Sequence, residues 1–258
     1  MGHHDQVFSR TVQGGIVSLR HHIAVCFCLI LILLLPLFSY SSDTSNKLTT
    51  SYSVSAKGFS IGDVTTTQRV TDDKGGDIVR FETKTYVKAS FLWMGYFLDT
   101  VESGDLIKGE LVRYSRKGRE NEDGIDIEGR LENSSFRFNV RENGRMRSVV
   151  IPRANYDNTT MECPEARLDF TGKPHITLRI LDVEKMAVVN REYHLIQNAM
   201  YSVGDKEFPC RIIDFTDPNK AARRWIAQDG RSVILFRQDS KGGKNAYSVK
   251  AQSVFKVM

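Results

Sequence analysis

The chain has 258 residues, with 36 Lys and Arg against 31 Asp and Glu, a net charge of +5 and 41% hydrophobic residues. That length and apolar content allow one large domain or two small ones with a substantial core, and exclude a small scaffold that metal or many disulfides must staple. The mild charge, with no recognition helix and no aromatic-basic RNA motif, excludes nucleic acid as a partner.

Arg20, His21 and His22 precede an apolar run over residues 23–35, which passes Pro36 and ends at Ser39-Tyr40-Ser41-Ser42. A positive flank, a Leu-rich stretch and small residues at a polar exit are the parts of an export signal. The 16 residues of 23–38 make roughly 24 Å of helix, short of the ~20 residues that span a bilayer comfortably. Residues 1–41 are therefore expected to be a signal peptide cut after Ser41, with a signal anchor through residues 23–38 as the alternative. In that case Arg20 stays inside and the body outside. The body is expected to be periplasmic or secreted, touching membrane only through an uncleaved segment or its surface charge. Cys26 and Cys28 lie early in the run, away from the exit where a lipid-modified cysteine would sit.

Without residues 1–41 the body keeps 34 of the 36 basic and 30 of the 31 acidic side chains, and only His175, His194, Cys163 and Cys210 among histidines and cysteines. In an oxidising compartment the two cysteines are a disulfide candidate, the alternative being two buried thiols.

From Thr50 onward, Thr50, Tyr52, Val54 and Ala56 alternate with polar neighbours, the period of a strand. Short β-branched and aromatic runs then recur between glycine-bearing turns such as Lys74-Gly75-Gly76-Asp77, Asp123-Gly124, Asn143-Gly144, Gly204-Asp205 and Asp229-Gly230. Strands are predicted over 48–57, 60–71, 77–89, 94–103, 106–117, 124–132, 135–142, 145–151, 176–183, 186–203, 206–215, 222–228, 231–239 and 245–255. Only residues 158–169 depart from this, with Pro164 inside a possible short helix or irregular crossover. The predicted fold is all-β and mainly antiparallel. Residues 42–258 would form one curved sheet, a half-barrel or open barrel, with at most one or two short helices besides the signal helix.

Gly58-Phe59-Ser60-Ile61-Gly62 matches a nucleophile elbow letter for letter, and Asp182 and His194 would complete a Ser, Asp, His order. An elbow needs strand, strained turn and helix, whereas Asp63-Val64-Thr65-Thr66-Thr67 is a β-branched run that resists helix. A glycine-flanked hairpin with a bulge is the stronger reading, and no catalytic residue is assigned. Residues 91–98 form the strongest apolar patch of the body, suited to line an apolar cavity, plug a sheet mouth or touch a partner. Its ligand-binding candidates are Phe91, Trp93, Met94, Tyr96 and Phe97. No metal site is expected, since His175 and His194 lack ligand-spaced neighbours, and no cofactor is implied. Glu120, Glu122, Asp123, Asp126 and Glu128 read as a solvated acidic hairpin. From Lys206 onward 11 basic residues face 5 acidic ones, a surface for acidic headgroups or anionic polysaccharide if they share a face, and otherwise a solubility feature.

Tyr52-x-Val54, Gly58-Phe59-x-Ile61-Gly62, Tyr156-Asp157 with Cys163-Pro164, and a strand-turn-strand segment over 221–247 together resemble exported bacterial proteins of the domain of unknown function 6134 family, and more remotely the 3108 family. The resemblance implies a curved sheet shaped like periplasmic lipoprotein carriers, and it carries over no catalytic residue. The function expected first is a non-enzymatic envelope protein that binds a lipid-like apolar or amphipathic ligand. A structural or assembly protein docking an envelope partner comes second, and a hydrolase using Ser60 last.

Overall fold

Period-two alternation of buried and exposed side chains makes strands almost without interruption from Asn46 onward. The computed structural model describes residues 46–73, 76–91, 94–142, 144–241 and 246–257, without the side chains of residues 72, 73, 91 and 94. The export signal with its expected helix and cleavage site, Lys74, Gly75, Leu92, Trp93 and the glycine pair at 242–243 lie outside the described residues. All described residues belong to one compact unit.

In chain order the strands are β1 (Asn46–Ala56), β2 (Phe59–Asp73), β3 (Gly76–Phe91), β4 (Met94–Ile107), β5 (Glu110–Glu120), β6 (Asp123–Glu132), β7 (Ser135–Glu142) and β8 (Arg145–Pro152). A connecting segment with a two-residue strand, β9 (Asn158–Thr159), leads to β10 (His175–Asp182), β11 (Ala187–Val203), β12 (Lys206–Asp217), β13 (Lys220–Asp229), β14 (Ser232–Ser240) and β15 (Tyr247–Val257). They form one sheet in the order β8-β7-β6-β5-β4-β3-β2-β1-β15-β14-β13-β12-β11-β10-β9. Every described pairing is antiparallel except β9 with β10. The curved, open antiparallel sheet predicted from alternation is the fold. No α-helix occurs among the described residues, and residues 158–169 hold two three-residue 3-10 turns, Thr160–Glu162 and Pro164–Ala166. None of the described helices is long and apolar enough to cross a membrane.

Chain connectivity forces the curvature. Laid flat, the edges β8 and β9 of this 15-stranded sheet would stand about 67 Å apart at roughly 4.8 Å per strand. Pro152 and Asn158, which end one edge and begin the other, are joined by a chain that reaches no more than roughly 20 Å. The sheet must coil until its edges approach.

Glycine under aromatic rings relieves crowding on the buried face of the coil. Phe81, Gly104, Tyr114, Gly129 and Phe138 occupy one cross-strand row from β3 to β7. A Cβ on Gly104 would lie 2.6 Å from the Phe81 ring and 2.7 Å from the Arg113 carbonyl, and one on Gly129 2.6 Å from the Phe136 ring. This explains one departure from the predicted boundaries. The break expected between 103 and 106 lies instead at Lys108-Gly109, both with positive φ, because Gly104 is needed inside the strand. Likewise Asp123-Gly124 belongs to β6, and the tip of that hairpin is Asn121, at φ 54°.

Opposite walls meet inside the coil. β14 pairs with β15 only from Arg237 to Asp239, and residues 232–236 are all buried. There the Gln68 side chain of β2 takes the place of a neighbouring strand, donating to the Val233 carbonyl at 2.7 Å and accepting from its N–H at 3.3 Å. Arg231 adds an ion pair to Asp77 at 2.9 Å.

Gly104→Ala is expected to lower unfolding free energy by about 1–3 kcal/mol in urea, the usual cost of overpacking. Gly124→Ala, where the added methyl meets nothing within 4 Å, should leave it nearly unchanged.

Candidate functional site

Residues 159–166 are buried without exception, although beyond Thr159 of β9 they form only 3-10 turns. Cys163 takes a left-handed conformation at φ 38°, and Pro164, which has no N–H to donate, opens the second turn. The segment fills the coil as a plug, and its two glutamates bind opposite walls. Glu162 accepts hydrogen bonds from the Leu111 N–H of β5 at 3.2 Å and from Asn158 Nδ2 at 2.6 Å. Burial raises its pKa, opposed by the hydrogen bonds from Asn158, Leu111 and Thr159. Glu165 accepts from Arg224 of β13, whose Nε donates at 2.7 Å to Gln238 of β14, which donates in turn to the Tyr247 hydroxyl of β15 at 3.1 Å. Burial works against the Arg224 charge, and the Glu165 carboxylate more than restores it.

A second buried polar cluster lies where the β10–β11 turn meets β4 and β5. Arg116 Nη1 lies 3.6 Å from Glu184, Lys220 Nζ lies 3.7 Å from Asp182, and Arg191 Nη2 lies 2.8 Å from Asp217. The Tyr114 hydroxyl donates to Glu102. The Arg191 and Arg224 guanidinium groups both stand over the Phe215 ring, at 4.6 and 4.7 Å. Burial pushes the Glu184 carboxyl up to about 8, with Arg116 opposing and Glu102 and Asp182 adding to the rise. Burial also pulls the Lys220 ammonium down to about 8, against the attraction of Asp182. Shifted groups of this kind mark active sites when a cleft reaches them. Their side chains are at most 10% exposed, so the cluster clamps two walls together.

Access to solvent is found at the end of the plug. An open groove of about 820 Å³ is lined by Ala166, Met200, Pro209 and Ile226 and by the amides Asn198 and Gln228, with Arg167 and Arg211 at its plug side. Arg211 is held in place by donating to the Leu168 carbonyl at 2.8 Å. Met200 is 56% exposed, an unusual fraction for a large apolar side chain on a floor of alanine and proline.

The sequence-derived candidates fall elsewhere. Residues 91 and 94 pair across the β3–β4 hairpin tip, and the side chains of Phe91 and Met94, like all of Trp93, are outside the described residues. Tyr96 is buried and donates to Glu120 at 3.3 Å. Phe97 lies on the other face, packed edge-on against Tyr86 and under Arg119. The hairpin thus splits the patch between two faces, and neither Tyr96 nor Phe97 lines the groove. Ser60 is exposed on β2, just after a Lys57-Gly58 turn with positive φ at both positions and next to a register shift. This is the glycine-flanked hairpin and bulge expected from sequence. Among the described residues no hydrogen bond joins Ser60 to Asp182 or His194. His194 instead stacks on His175 at 4.5 Å, its partner in register, a pairing that sequence separation conceals.

Of the two readings of the cysteines, the structure shows the second: Cys163 and Cys210 are both buried and are not joined in a disulfide. Cys210 shares the face of Ile212 and Asp214 on β12, whereas Arg211 and Phe215, on the opposite face, contact the plug and its partners. Cys163 belongs to the plug, so the sheet separates the two sulfurs.

No family model matches the chain, and no curated protein matches it. A crystal structure of a β-barrel-like protein of the domain of unknown function DUF1849 from Brucella abortus is similar, with TM-score 0.57 and 9% identity over 84% of this chain and 99% of that one. The likeness is one of fold. That neighbour belongs to neither family that the short motifs resemble.

Glu165→Gln leaves Arg224 buried without its counter-charge and should cost about 3–5 kcal/mol in urea unfolding. Glu184 gives a pH test. Its folded pKa of about 8 exceeds the ordinary 4.5, so the folded state holds a proton that the unfolded chain releases. That contribution is complete below about pH 4.5 and is lost as pH rises toward 8. Denaturation across that window should show a shallower fall for Glu184→Gln than for the native chain.

Proposed function

We propose that the protein is a non-enzymatic, exported binding protein that holds an amphipathic anion, an acyl chain with an acidic head, in the groove at the end of the plug. The β-barrel-like fold suits a ligand-binding or structural domain. The observation that carries the ligand class is the groove itself: a floor of Ala166, Met200, Pro209 and Ile226, with the amides Asn198 and Gln228 and the cations Arg167 and Arg211 beside it. Few convergent polar groups on an apolar lining are what fix the orientation of an amphipathic ligand. Export is supported by the leader pattern over residues 20–42.

A second reading, docking of an envelope partner, is favoured by the edge strand β8. It has no buried residue, and Met146 and Val150 are 70% and 44% exposed on it. An extended segment of a partner could pair with that edge.

Native mass spectrometry of residues 42–258, purified gently from an exporting host, should show a bound amphiphile. After its removal, the protein should take up a fluorescent fatty acid. Met200→Glu should weaken that uptake at least about tenfold, about 1.4 kcal/mol, with unfolding unchanged. A stripped protein that takes up no probe would remove the ligand reading and leave the β8 edge, which Met146→Asp then tests by loss of partner capture.

A further inference from the structure

The strand register assembles a feature that no stretch of sequence displays. On the face of β1–β7 opposite the plug, Lys47 pairs with Arg69, Arg69 with Arg80, Arg80 with Asp105, Asp105 with Arg113, Arg113 with Arg130, and Arg130 with Arg137. Six cations and one carboxylate thus occupy a single row across seven consecutive strands. At about 4.8 Å per strand the row is roughly 29 Å long.

Asp105 is bonded to both neighbours, at 3.2 Å to Arg80 and 3.8 Å to Arg113. Lys47, Arg69, Arg130 and Arg137 form no ion pair among the described residues. All the arginines of the row are exposed. Like charges directly opposite one another destabilise a sheet, and this row contains four such pairs in succession around one carboxylate. Folding gains nothing from that arrangement, whereas a polyanion would.

We propose that this row is a binding surface for a linear anionic polysaccharide. The face around it is a groove of about 620 Å³, which suits a chain better than a flat bilayer. The next row, two residues along each strand, is Thr49, Thr67, Glu82, Ser103, Ser115, Glu128 and Asn139. Hydroxyl, amide and carboxylate groups in parallel with cations match a ligand that carries both acidic groups and sugar hydroxyls. Bases would need aromatic platforms, but Phe81 and Tyr114, the aromatics bordering the groove, are turned inward and only 3% exposed.

The test uses residues 42–258 with heparin and dextran sulfate as probes, titrated at several salt concentrations. The double variant Arg69→Gln with Arg130→Gln should bind at least about tenfold more weakly and with a shallower salt dependence. The double variant Lys206→Gln with Lys250→Gln, equal in charge but off the row, should bind as the native chain does. The melting temperature of the row variant should stay level or rise as repulsion is relieved. Equal loss in both double variants would overturn the proposal in favour of net charge alone. A lowered melting temperature in the row variant would make the row structural. Row-dependent binding to phosphatidylglycerol vesicles or to oligo(dT) that matches the polysaccharides would assign the surface to membrane or nucleic acid instead.

Discussion

Two glutamates on one short buried segment hold this sheet in its coil. Curvature alone brings the edges of the sheet near each other, but nothing in a row of main-chain hydrogen bonds fixes how far the coil tightens. Glu162 binds the main chain of β5 and Glu165 the guanidinium group of β13, so the plug sets the distance between the N-terminal and C-terminal halves. Its irregular backbone is the consequence. A regular helix would satisfy its own N–H groups and space its side chains by turns of 3.6 residues, whereas consecutive 3-10 turns around Cys163 and Pro164 send successive glutamates to opposite walls.

A plug of this kind decides where a ligand can sit. The interior of the coil is occupied by residues 159–166 and by the Glu102, Arg116, Glu184 and Asp182, Lys220, Arg191 clusters. Charged and polar groups buried this deeply contribute little net stability but strongly penalise any arrangement that separates them. The interior is therefore a lock, and space for other molecules is left at its end and on the outer face. The groove beside Ala166 and Arg167 exists because the plug stops short of the far ends of β11, β12 and β13.

Much of the architecture was legible in the sequence, because alternation and turn residues act locally. Fourteen of the strands follow from period two, and the hairpin at Lys57-Gly58 follows from its glycines. The two-residue β9 is too short to carry a period. What escaped was whatever depends on register. Gly104 reads as a turn residue until Phe81 is known to lie across it, and His175 and His194 look unrelated until β10 and β11 pair. Even the plug was visible only as a gap in the strand pattern. Pro164 and the two glutamates announce an irregular segment and say nothing of its burial, since Glu is among the residue types least often found inside. The apolar patch misled for the opposite reason. A run of eight apolar residues suggested a single surface, but a hairpin strand sends neighbours to opposite faces, and Tyr96 and Phe97 are divided accordingly.

Charge shows the same contrast between composition and register. In sequence the basic C-terminal quarter reads as an anion-binding surface only if its charges share a face, and its cations are largely paired: Arg223 and Lys241 with Asp214, Arg224 with Glu165, Arg231 with Asp77, Lys220 with Asp182 and Lys256 with Asp229. The N-terminal half draws no attention as a sequence, because its arginines are scattered among carboxylates. Antiparallel pairing brings six of its cations into line and leaves four of them unmatched among the described residues. Net charge is therefore a poor guide to where this protein presents positive potential. Apart from the buried Arg116, the N-terminal half turns its arginines to solvent, whereas the C-terminal half uses Arg191 and Arg224 to close the fold around the plug.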